Sequence, residues 1–140
     1  PGDALKGLAL FEEAHFSDAL FVKGRRYGRP LADRAFTLGM GVFVTLLLGK
    51  PMWAVNAQPT LFSKTFFDSW ETPPYDFSLD LFAYYKANEK GCAIEKFPVY
   101  FGERAHGVSH WNVDWKSKVK FIRRTMDFSF KLRRELKKGP

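Results

Sequence analysis

Two stretches of this 140-residue chain concentrate side chains that can do chemistry. The first is YFGERAHGVSHWN, Tyr100 to Asn112, which follows a strand-like run, CAIEKFPV. Within it Glu103, His106 and His110 stand at i, i+3 and i+7, residue types that ligate divalent metals. Gly107 interrupts the helix that this spacing needs, and the zinc motif sets its glutamate between two histidines. Ser109, His110 and Asp114 form a second set, nucleophile, base and orienting acid, but no nucleophile elbow surrounds the serine. Cys92, at a strand start, reads as a buried thiol, and His15 as a helix-end residue.

The second stretch is VKGRRYGRPLADR, with Lys23, Arg25, Arg26, Arg29 and Arg34 directly after a strand. In α/β proteins the carboxyl ends of strands are where ligands bind. Guanidinium groups match phosphate oxygens with paired hydrogen bonds. The competing reading is a solvated basic turn. Asp76 and Asp80, in YDFSLDL, share a helical face if the helix begins early; such a pair divides acid and base work or is merely a wet helix edge.

The formal charge of +7 is unevenly placed. Residues 115–140 hold ten Lys or Arg against two acids, whereas residues 1–114 are nearly balanced at −1. The excess therefore belongs to the tail. There Val119, Ile122, Met126, Ser129 and Leu132 trace one helical face, widened by Phe121, Phe128 and Phe130. Two readings stay open. One is a docked terminal helix with a solvated charged side. The other is an interfacial helix with Lys116, Lys120, Phe121, Arg123 and Arg124 in contact with anionic lipid. No groove-reading or single-strand module accompanies the charge, so no nucleic acid is expected as a partner.

The elements that must position these groups follow from pattern. Apolar spacing predicts a helix over Ala4–His15, a strand over Asp18–Gly24 and a helix from Leu31 to a stop at Gly49. Ser63 is a cap for a short helix and Ser78 for another that ends at Gly91. CAIEKFPV reads as a strand, FGERAHGVSHWN as a loop, and the rest as one long helix. The residues 53–63 read as extended or looped, since Pro59 restricts what precedes it. Helices alternating with two strands make an α/β layout, and two strands alone cannot form a covered sheet, so part of a domain is expected to be missing. The longest apolar run, Ala35 to Gly49, falls short of the roughly 20 residues a bilayer needs. A lone cysteine points to a reducing compartment.

The order FVKGRRYGRPL, NAQPTLFSKTFFDSW, YDFSLDLFAYYKANEKG, EKFPVYFGERAHGVSHWN and KFIRRTMDFSFKLRREL resembles the C-terminal half of a family 2 glycosyltransferase of the dolichol-phosphate mannose synthase-like kind. The resemblance covers about Leu5 to Leu136 and rests on order and spacing, not on one motif. It implies a partial GT-A fold, an inverting reaction, a nucleotide-sugar donor and Mg2+ or Mn2+ in the complete enzyme, with metal ligands upstream of this chain. It implies an acceptor that is a polyprenyl phosphate or a glycan. Arg26 resembles the strand-ending arginine that faces phosphate. Leu38 stands where the polyprenyl-phosphate enzymes carry a second arginine, a place that Arg29 or Arg34 would fill. Asn56 and Gln58 match a segment lining the active site, and Asp80 matches an acid in the following helix. Where the acceptor is a hydroxyl, Asp76 or Asp80 would be its base; an ionised phosphate needs none. ERAHGVSHWN resembles the loop that closes over the donor diphosphate. Arg104 would neutralise charge on the leaving group, Ser109 and His110 would add hydrogen bonds, and Trp111 would anchor the loop.

The expectation is thus residues 1–112 as the acceptor half of a GT-A catalytic domain and 113–140 as a basic amphipathic helix. The protein would sit at the cytoplasmic face of a membrane and would be inactive alone. The alternative is a basic module for anionic surfaces or nucleic acid, without catalysis.

Overall fold

The computed structural model of the protein describes residues 2–28, 31–76, 78–100 and 115–137. Among them the order is α1 (Gly2–Glu13), β1 (Leu20–Tyr27), α2 (Leu31–Leu48), β2 (Thr60–Phe62), α3 (Lys64–Asp68), α4 (Leu79–Glu89), β3 (Ala93–Tyr100) and α5 (Trp115–Lys137). The sheet is mixed, in the order β2-β1-β3. β3 runs parallel to β1 along its whole length, Leu20 opposite Ala93 and Tyr27 opposite Tyr100. β2 runs antiparallel, with Phe21 opposite Phe62 and Lys23 opposite Thr60.

The α/β layout holds, but the expectation of two strands does not. β2 is three residues long and follows a proline, too short for period-two alternation to register. It exists because β1 offers it a ladder. β1 is central and buried through Gly24, which is why LFV reads as an unbroken apolar run.

Alternation along β1 feeds two cores. Leu20 and Val22 pack with Phe11 of α1 and with Phe97 and Val99 of β3. Phe21 points the other way, into the larger core of Val44, Met52, Phe66, Trp70, Leu81, Tyr84 and Leu132. Its ring is stacked against Phe62 at 5.8 Å and Tyr84 at 5.9 Å. Helices thus cover both faces of a small sheet.

Local signals explain the helix ends. Ser63 caps α3, its hydroxyl accepting from the Phe66 N–H at 3.0 Å. α2 and α4 stop at Gly49 and Gly91, whose φ values of +67° and +70° suit glycine. Ser78 precedes α4 but makes no side-chain cap; instead its own N–H donates to Asp76 Oδ1 at 2.9 Å. Because α4 begins at Leu79, Asp76 lies outside the helix, and Asp76 and Asp80 do not share the helical face expected of them.

α5 is docked. Ser129 and Leu132 are buried, Leu132 joins the core of Phe21, and Phe130 meets Phe43 of α2 edge-on at 6.0 Å. The expected boundary at 112/113 lies outside the described residues. Among the described residues no helix is long and apolar enough to cross a membrane.

Candidate functional site

A cavity of about 560 Å³ opens at the carboxyl end of β1. Five parts of the chain build its wall. β1 contributes Arg25 and Arg26, and α2 contributes Arg34, Thr37 and Leu38. The loop before β2 contributes Trp53, Asn56 and Gln58, α4 contributes Asp80, and α5 contributes Phe121 and Thr125. Phe36, Met40, Val44 and Val55 complete an apolar side. The volume suits a small-molecule site, concave and mostly apolar with a few convergent polar groups.

The loop reaches the sheet because Gly24 lets it. A Cβ on Gly24 would stand 2.5 Å from the Gln58 carbonyl oxygen. Without one, the Gly24 N–H donates to the Pro59 carbonyl at 2.8 Å. The Gln58–Pro59 peptide bond is cis. Arg26 donates a guanidinium hydrogen bond to the Asn56 carbonyl. Gln58 Nε2 donates to both carboxylate oxygens of Asp80, at 2.8 and 2.9 Å. Loop, strand end and helix start are therefore tied to one another around the opening.

Beneath the loop lies Lys23, with no exposed surface. Its ammonium donates to the Ala57 carbonyl at 3.1 Å and to Thr60 Oγ1 at 3.2 Å. It also sits over the Tyr84 ring, 5.5 Å from the centroid. Burial lowers the Lys23 pKa to about 8; nearby Asp80 opposes the shift, while Arg26 and Lys96 add to it.

Six residues singled out in the sequence thus share one cavity: Arg25, Arg26, Arg34, Asn56, Gln58 and Asp80. Arg34 lies one turn before Leu38 on α2, and both line the wall. Asp76 is not among the lining residues. It faces α5, 3.7 Å from the Arg124 guanidinium. The Ser78 backbone N–H, and then Arg124, hold its carboxyl below the usual range. Phe121, grouped on sequence with the membrane-contacting residues, lines the cavity. Lys116, Lys120, Arg123 and Arg124 lie on the exposed side of α5. Cys92 is half-buried, and burial raises its thiol pKa. Arg29, Glu103, Arg104, His106, Ser109, His110, Trp111 and Asp114 lie outside the described residues.

Sequence reasoning did not single out Thr37, Trp53 or Thr125 for the cavity. Thr125 carried a signal, standing four residues after Phe121 on α5 and so on the same face. Lys23 stands in the sequence as one of five cations, and its full burial is an exception for lysine that composition does not announce.

Among the described residues no three His, Cys, Asp or Glu side chains converge as a divalent cage requires. Among the described residues that line the cavity Asp80 is the one carboxylate, so the lining does not by itself hold Mg2+ or Mn2+. The chain matches no family model, no curated protein and no solved structure.

Proposed function

We propose that this cavity is the acceptor side of an inverting glycosyltransferase with partial GT-A architecture, and that it takes a lipid phosphate. One observation carries the reading: three arginines, two side-chain amides and one carboxylate converge at a strand's carboxyl end, against a largely apolar wall. An acceptor with an anionic head and an apolar body matches both halves of that wall. The head would sit among Arg25, Arg26 and Arg34, whose forked donors suit phosphate. The chain would lie along Leu38, Trp53 and Phe121.

In such a transfer an acceptor phosphate oxygen attacks the anomeric carbon as the bond to the leaving nucleoside diphosphate breaks. The ring carbon inverts, and the electron pair leaves with the diphosphate. Arg104 would stabilise that leaving charge. An ionised phosphate needs no base, so Asp80 would orient Gln58, whose amide oxygen would be left to accept from a sugar hydroxyl.

We place the protein peripherally at the cytoplasmic face of a membrane, and two surface features support the membrane contact. Leu31, Leu38, Val42 and Leu46 of α2 are exposed at helical spacing. α5 packs beside α2 and presents Lys116, Lys120, Arg123 and Arg124 to solvent. Basic residues near an anionic headgroup layer contribute about 1 kcal/mol each.

The test is titration of the chain with farnesyl phosphate, and with farnesol as its uncharged control. The phosphate should bind, and Arg26→Ala or Arg34→Ala should weaken it about tenfold or more. Equal binding of farnesol, or none of either, overturns the reading. Tight, salt-dependent capture of an oligonucleotide that is indifferent to both substitutions favours the non-catalytic basic module instead.

A further inference from the structure

We propose that Lys23 is a positioning residue, whose buried ammonium clamps the segment from Asn56 to Thr60 and so fixes where Gln58 and Asp80 face a bound ligand. The inference rests on the reading of the cavity as an acceptor site. Its geometric basis stands independently of that reading.

The clamp is a closed set of bonds. Lys23 Nζ donates to the Ala57 carbonyl at 3.1 Å and to Thr60 Oγ1 at 3.2 Å. Thr60 Oγ1 donates in turn to the same Ala57 carbonyl at 3.3 Å. The next residue of β1, Gly24, binds the Pro59 carbonyl through its N–H. Two neighbouring positions of one strand therefore hold Ala57, Pro59 and Thr60. Gln58, between them, is left to reach Asp80 with its side chain.

An apolar residue would fill this space without the cost of burying a cation. Burying a charged group costs free energy that hydrogen bonds must offset, a cost an apolar side chain does not carry. The ammonium is thus explained by what it holds and not by what it adds to the fold. The charged groups around it are Asp80 of α4, Arg26 of β1 and Lys96 of β3, and Asp80 is the one that attracts it. A cation at this depth also places a fixed positive charge behind the carboxylate that lines the cavity.

Lys23→Met removes donor and charge, whereas Lys23→Gln keeps a donor. In the full chain, Lys23→Met should stay folded with an undiminished melting temperature. Amide hydrogen exchange at Gly24 and Ala57 should quicken about tenfold or more, with α4 unchanged. Farnesyl phosphate should bind about tenfold more weakly, and Lys23→Gln should fall between. Unchanged exchange at Gly24 and Ala57 overturns the proposal, even where binding weakens, because the effect would then be charge alone. Failure of both variants to fold also overturns it, making Lys23 a residue of the fold. If the unaltered chain ignores farnesyl phosphate, the acceptor reading fails, and the exchange rates alone decide whether Lys23 positions the segment.

Discussion

Gln58 and Asp80, twenty-two residues apart, meet through one amide nitrogen that donates to both carboxylate oxygens, at 2.8 and 2.9 Å. This contact joins the loop before β2 to the first turn of α4 and closes one side of the cavity. It also sets two roles for Asp80 against each other. A carboxylate engaged by an amide orients that amide; a carboxylate that takes a proton from a hydroxyl acceptor is a base.

On the acceptor-site reading proposed above, Asp80→Asn separates these roles in a sugar-transfer assay. With a phosphate acceptor, turnover should fall only a few-fold, since no proton need be removed. With a hydroxyl acceptor it should fall about 10²- to 10⁴-fold. Steady-state kinetics with each acceptor class is the measurement, and a large loss with phosphate removes the orienting role.

The Lys23 pKa gives stability a pH dependence whose sign is unusual for lysine. In the folded chain it titrates near 8, against 10.5 when unfolded. Between those values the unfolded state binds more protons, so stability rises with pH. The penalty for the buried cation is fully present below about 8 and is relieved as pH approaches 10.5. The size is at most about 3 kcal/mol. Urea melts of the native chain and of Lys23→Met, at pH 7 and pH 10, isolate this group by difference. The native chain should gain more than the variant; equal gains refute the assignment.

Gly24→Ala puts a methyl group where the Gln58 carbonyl now lies, at 2.5 Å. The loop must move away, since its backbone cannot yield as a side chain would. A loss of about 1–3 kcal/mol is expected, as for overpacking in a core. Binding of farnesyl phosphate should weaken with it. Unaltered binding would show that the loop's approach to β1 does not shape the cavity.

α5 combines a docked face with a basic one, and the two separate by mutation. Leu132 is buried in the main core, so Leu132→Ala should cost about 2–5 kcal/mol. Charge reversal at Lys116, Lys120 and Arg123 should leave stability nearly unchanged but release the protein from anionic vesicles. Retention on vesicles after reversal would remove these residues from any membrane contact. A Leu132→Ala variant of native stability would mean that α5 contributes nothing to the fold.

Much of the local structure is legible along the chain. The 3.6-residue spacing in LADRAFTLGMGVFVTLLL, the stops at Gly49 and Gly91 and the Ser63 cap are short-range signals, and α2, α3 and α4 follow them. The apolar run LFV and the mixed run AIEKFPV become parts of β1 and β3. The grouping of arginines is equally visible, because it depends on neighbours in sequence, but β1 runs on past the expected end at Gly24 to Tyr27, so Arg25 and Arg26 belong to the strand and do not follow it.

What the tertiary structure alone decided depends on distant partners. β2 forms because Thr60, Leu61 and Phe62 find the free edge of β1, which no alternation in three residues could announce. Asp80 rather than Asp76 lines the cavity because α4 starts at Leu79, leaving Asp76 to turn back to Ser78 and toward Arg124. Phe121 faces the cavity because α5 docks through Leu132 and Phe130, which sets the helix's rotation. Lys23 is a surface cation by composition and a buried one by packing. Its position in the strand was readable, but its burial came from a loop 34 residues away that folds over it and takes its hydrogen bonds. Periodicity reports which face of an element is apolar; only the packed chain determines what that face meets.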